Sequence, residues 1–193
     1  MVAASIKTLR QFSKGEPAGT DELAHLLTEM SHMSDRAAII IIASYVEDGL
    51  EAVLRRQMRE LDAETDSQLF GGDGAISSFS KKTKLAYALN LIDKTTKNRI
   101  DDLREMRNAC AHTKRYIGLE VPELANVCKR FLESAHFKPQ VDTPEMLRAT
   151  LLAECSYIKK VIVDGPEKAE ELLRTALEFS QRRANANSAE NPA

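Results

Sequence analysis

The chain has 193 residues, of which 43% are hydrophobic and 5% aromatic, with no tryptophan. That is enough apolar material for one domain with a real core. The formal net charge of -2 argues against a dedicated duplex-DNA binder, whose affinity rests on a basic excess that neutralises phosphates. The longest apolar run, 37–43, is far too short to span a bilayer.

The first 19 residues are weakly patterned, with a short helix expected over 5–12 and a loop from Gly15 to Gly19. Thr20 then opens a helix with Leu23, Leu26, Leu27, Met30 and Met33 on one face. Ser34 or Asp35 caps a long helix expected to run to about Leu61. Its start, AAIIIIA, is apolar all round, which predicts the buried centre of a bundle. The stretch 62–79 reads as the longest loop. Its GGDG lacks the Lys-Ser/Thr pair and the preceding strand of a phosphate-binding loop, so the glycines are read as turn formers. Ser78 or Ser80 caps the next helix.

Thr95 is expected to open the helix that carries REMRNACAHTKR, residues 104–115. Pro122 and Thr143-Pro144 mark two further helix starts, Pro166 begins the last, and a disordered tail is expected from 182. No repeat or strand pattern appears. The expected fold is therefore all-α, a single-domain bundle of about six or seven helices over 20–181. The three cysteines, Cys110, Cys128 and Cys155, form no C-x-x-C pair and sit at helical positions. They read as buried free thiols of a reducing cytoplasm, and no apolar block marks a signal peptide after the first basic residues. No cofactor or metal is expected.

On a helical wheel, Ile100, Leu103, Met106 and Cys110 form one arc, and Arg107 falls within it. A buried guanidinium needs a partner. Glu47, in the apolar stripe of the 35–61 helix with Ile40, Ala43, Leu50 and Leu54, is the candidate, either directly or across a surface buried in a dimer. A purely structural pair is the more frequent outcome for such residues. His112, in the last helical turn, suits the negative end of the helix dipole without any function. Lys81, Lys82, Lys84, Lys94, Lys97 and Arg99 form a basic cluster opposed only by Asp93, and Lys114 and Arg115 adjoin His112. Such a cluster is either a nucleic-acid patch or a solvated face.

Arg107-Asn108 followed by His112 near a helix end resembles the R-x4–6-H motif of the HEPN superfamily. The strings LFGGDGAISSFSKKTKLAYALNLI (69–92), DDLREMRNACAH (101–112) and SDRAAIIIIASYVEDGLEAVLRR (34–56) resemble the mannitol operon repressor family, a HEPN-like group of bacterial helical proteins. The likeness covers roughly residues 20–163. It implies a cytoplasmic, homodimeric transcriptional regulator that works through a protein partner and binds duplex DNA weakly and non-specifically at most. The HEPN likeness implies an alternative, a metal-independent ribonuclease. There Arg107 would bind the scissile phosphate, His112 would act as general acid/base and Asn108 would orient the site, with two chains meeting across a dimer interface.

Overall fold

The computed structural model describes residues 20–138, 142–171 and 174. The expectations for 1–19 and for the tail from 182 lie outside them. Among the described residues the chain is all-helical and has no strand. Seven helices follow one another: α1 (Thr20–His32), α2 (Asp35–Arg56), α3 (Ala63–Phe70), α4 (Phe79–Ala88), α5 (Lys94–His112), α6 (Pro122–Leu132) and α7 (Pro144–Asp164). Helical backbone resumes at 166.

Local chemistry sets the helix starts. Ser34, Asp62, Ser78, Asp93 and Thr143 each accept a hydrogen bond from the amide three residues on, which satisfies one of the donors a helix leaves unpaired at its first turn. Helix α6 begins without a side-chain cap, but Pro122 sits in its first turn, where a missing N–H costs nothing. Two boundaries differ from expectation. The long helix stops at Arg56, and the stretch 62–79 contains a helix of its own. Asp62 creates that helix: its carboxylate accepts from the Thr65 amide and hydroxyl. Helix α3 is held at two points, by the burial of Phe70 and by Arg55, which pairs with Asp66 and lies over the Phe70 ring.

Helix α2 is the hub. It packs against α1, α4, α5 and α7. Ile39, Ile42, Ala43, Val46, Leu50 and Leu54 are fully buried along it, while Ile40 and Ile41 are only partly covered. The AAIIIIA segment is thus a broad apolar face rather than an all-round buried core.

Charged residues lie inside this bundle. Glu154 on α7 is 0% exposed and Arg99 on α5 is 8% exposed. They form an ion pair of 2.6 Å. The Arg99 Nε donates to the Phe131 carbonyl and its guanidinium lies over the Phe131 ring, while the second Glu154 oxygen accepts from the Phe137 amide. One pair therefore ties α5, α6, α7 and the turn after α6. Lys159, 5% exposed, sits differently: its Nζ lies 3.4 Å from the centre of the Tyr45 ring and has no hydrogen-bond acceptor. Gly49 makes room for it, since a β-carbon there would come within 2.8 Å of the Lys159 Cγ.

Two predictions follow from these buried charges. Glu154→Ala strands the Arg99 guanidinium and should cost about 3–5 kcal/mol in chemical denaturation, whereas an apolar replacement of both partners should recover most of that loss. Equal loss in both variants would show that the pair itself, not the stranded charge, matters. The second concerns pH. Burial pushes the Lys159 amine from 10.5 down to about 8, against the opposing pull of Asp48. Between those values the unfolded chain holds a proton that the folded chain lacks, so this group makes stability rise with pH. The three buried thiols, whose pKa values burial raises, act in the opposite direction above pH 9. Comparison with Lys159→Met cancels them: the stability difference between wild type and variant should shift by roughly 3 kcal/mol in favour of wild type from pH 7 to pH 11. A constant difference would dismiss the buried titration.

Candidate functional site

Helix α5 and the turn behind it present the residues singled out in the sequence. The buried arc of α5 comprises Arg99, Ile100, Leu103, Met106 and Cys110. The cation inside the apolar stripe is therefore Arg99 rather than Arg107. Arg107 is half-buried at the edge of the arc, and its guanidinium donates to the Asn108 Oδ1 at 3.1 Å. His112 is exposed in the last turn. Residues five apart on a helix point about 140° from one another, so a single chain does not converge Arg107 and His112. Cys110, buried between them in sequence, is no nucleophile: burial pushes its thiol up to about 11.

The expected Arg107–Glu47 pair does not form within the chain. Glu47 is taken by Lys82 of α4, whose Nζ lies 2.9 Å from Glu47 and 2.8 Å from Glu51. Burial alone would lower the Lys82 pKa, but its bonds to Glu51 and Glu47 raise it. Glu51 shows the converse: burial works to raise it, and the bonds from Lys82 and Arg55 prevail and lower it. The wheel placed Glu47 correctly on a covered face. It could not say which neighbouring helix would supply the cation.

The basic cluster does not survive as one surface. Lys82 and Arg99 are buried in ion pairs, and Lys97 pairs with Asp101 one helical turn on. Lys81 is exposed and donates to the Gly74 carbonyl. Lys84, Lys94, Lys114 and Arg115 are exposed. Sequence proximity had grouped cations that the fold divides between buried ion pairs and solvent. The same wheel test that misassigned Arg107 would have found Arg99 had it begun one residue earlier, and Glu154 shares its face with Leu147, Leu151 and Ile158.

What remains at the end of α5 is a short cationic ridge on a fixed turn. Arg104 lies 3.5 Å from Asp101. Arg107, Asn108, Ala111 and His112 follow. The turn after the helix is clamped from α2: the Arg36 guanidinium donates to the Thr113 carbonyl at 2.7 Å, and Asp35 accepts from the Leu119 amide at 2.8 Å. Asp35 is itself paired with Arg148. Tyr116, 79% exposed, stands out between these clamps. A polar cleft of about 430 Å³ runs between α5 and α6, lined by Thr95, Asn98, Arg99, Asp102, Arg130 and Glu133 among others; Arg107 and His112 do not line it. Among the described residues no three or more His, Cys, Asp or Glu side chains are grouped to hold a metal ion, and no helix is long and apolar enough to cross a membrane.

No family model matches the chain, and no curated protein matches it. Its fold is similar to that of a chain in the X-ray structure of the MtlR–HPr complex from Escherichia coli, with a TM-score of 0.61 and 15% identity over 73% of this chain and 98% of that one. At that identity the likeness establishes a shared helical fold.

The geometry separates the half-buried Arg107 from the buried Lys82. Arg107→Ala removes one hydrogen bond at a half-buried position and should cost less than about 1.5 kcal/mol. Lys82→Ala leaves Glu47 on a covered face without its cation, while Glu51 keeps Arg55, and should cost about 3 kcal/mol. Equal costs in urea denaturation would contradict this placement.

Proposed function

We propose that the chain is a helical regulator of the mannitol operon repressor type that acts by binding a protein partner. The observation that carries this reading is the fold likeness to MtlR, which spans nearly the whole of that chain in a structure where it is complexed with HPr. The sequence strings over 34–56, 69–92 and 101–112 point the same way. Control of transcription would then run through the partner, with duplex DNA bound weakly and without sequence preference, as a net charge of -2 and the dispersed basic residues suggest. A cytoplasmic setting agrees with three buried free thiols, and a homodimer is the assembly the HEPN likeness implies.

One observation favours a second reading, a metal-independent ribonuclease. Arg107 is half-buried without a carboxylate partner among the described residues and is oriented by Asn108, and His112 is exposed on the same helix. Paired across two chains, Arg107 could hold a phosphate by its planar fork. His112 could take the proton of a 2′-hydroxyl that attacks the adjacent phosphorus, leaving a 2′,3′-cyclic phosphate.

Titration of the purified protein with HPr distinguishes the readings. A saturable complex by calorimetry, with no RNA cleavage, is the expected result. Absence of binding, joined with cleavage of mixed RNA in chelator that His112→Ala lowers by about 10²–10⁴-fold, would establish the ribonuclease instead.

A further inference from the structure

We infer that the end of α5 and the turn behind it, Arg107 to Tyr116, form a docking surface for a compact acidic patch on another protein. The inference rests on the partner-binding reading above and assigns it a site. Residues 106–119 contain Arg107, His112, Lys114 and Arg115 and no aspartate or glutamate, although the chain as a whole is slightly acidic.

Arg107 is the central residue. Among the described arginines that are buried or half-buried, Arg36 and Arg148 bond to backbone carbonyls, and Arg55, Arg99 and Arg104 face carboxylates. Arg107 has neither; its contact is the neutral Asn108 oxygen. A partly desolvated guanidinium held in a fixed orientation without an anion is preorganised to receive one. Four residues beyond His112, the turn displays Tyr116, 79% exposed, with Glu120 close by. Arginine and tyrosine are the residue types that dominate binding energy at protein interfaces. The turn that presents them is clamped by Arg36 and Asp35, so little ordering remains to be done on binding.

The extent of the surface selects the partner's class. A nucleic-acid strand needs a basic track that follows its backbone. Here the track is cut short: Lys82 and Arg99 are buried in ion pairs, Lys97 is held by Asp101, and Glu105 and Glu120 flank the basic stretch in sequence. A short cationic strip with one exposed aromatic fits a few carboxylates beside an apolar spot, not a polyanion.

The test compares wild type, Arg107→Ala, Tyr116→Ala and the double reversal Lys114→Glu/Arg115→Glu, each checked for native helicity. The probes are HPr, a fluorescein-labelled decameric glutamate peptide and a ten-nucleotide RNA, at two salt concentrations. Wild type should bind the peptide more tightly than the RNA. The double reversal and Arg107→Ala should each weaken binding to the peptide, and to HPr if it binds, by about tenfold or more. Tighter binding of the RNA at this face would overturn the inference, as would variants that match wild type or a peptide and HPr that both fail to bind. HPr binding that is indifferent to all the variants would sink this site and leave the partner reading standing. Peptide binding without HPr binding would do the reverse.

Discussion

The ion pair between Arg99 and Glu154 is the constraint on which the bundle's geometry depends. A fully buried carboxylate is tolerated only where its charge and both oxygens are answered. Glu154 has its charge answered by a guanidinium from α5 at 2.6 Å and its second oxygen by an amide from the turn after α6, although neither Glu154 Oε1 nor Arg99 Nη2 makes an aligned hydrogen bond. Arg99 in turn needs the Phe131 carbonyl and ring. None of these groups can move without exposing another to an unsatisfied interior. Apolar packing alone would allow α5, α6 and α7 to slide along one another, because the hydrophobic effect has no direction. The pair supplies that direction, and α2 then packs across the frame it sets.

The other buried cations show what such fixing requires. Lys82 is answered by two carboxylates on α2, and that arrangement joins α4 to the hub. Lys159 is answered by the face of an aromatic ring and by no acceptor. Its ammonium is therefore the least satisfied charge in the interior, and burial drives it toward the neutral form. Gly49 belongs to the same arrangement. A glycine in mid-helix is unfavourable by roughly 1 kcal/mol against alanine, and here it opens the groove through which the lysine stem crosses α2.

Much of the fold could be read from the sequence, because helix starts are local events. Ser34, Ser78, Pro122 and Thr143-Pro144 act through bonds or torsions within three residues, so the starts of the helices they open follow from them. Helix α3 escaped because its composition is polar and its only strong signal is Asp62, which reads equally well as a turn residue. The site was less legible. A wheel assigns a side chain to the inside or the edge of a helix, and it placed Glu47 well. Arg107 and Arg99 lie about 80° apart on the wheel, Arg99 in the middle of the apolar arc and Arg107 near its edge, and the contact with Glu154 holds Arg99 inside. The basic cluster was misread for a similar reason: sequence spacing does not show which cations will meet carboxylates from other helices, as Lys82 and Arg99 do.

The charge distribution that results is a consequence of the core. Carboxylates of α2 and α7 capture Lys82 and Arg99, and Asp101 on α5 itself holds Lys97, so the cations left to solvent near α5 are Lys94 at its start and those around its end. The anchoring residues Asp35 and Arg36 are likewise consumed in holding the following turn. Where Lys82 and Arg99 each meet a carboxylate, Arg107 is conspicuous, since it is partly withdrawn from water and, among the described residues, unpaired with an anion. Desolvated, oriented and uncompensated charge is poor for stability and good for recognition, because the anion that completes it meets a donor whose cost of dehydration and ordering has already been met in the folded chain.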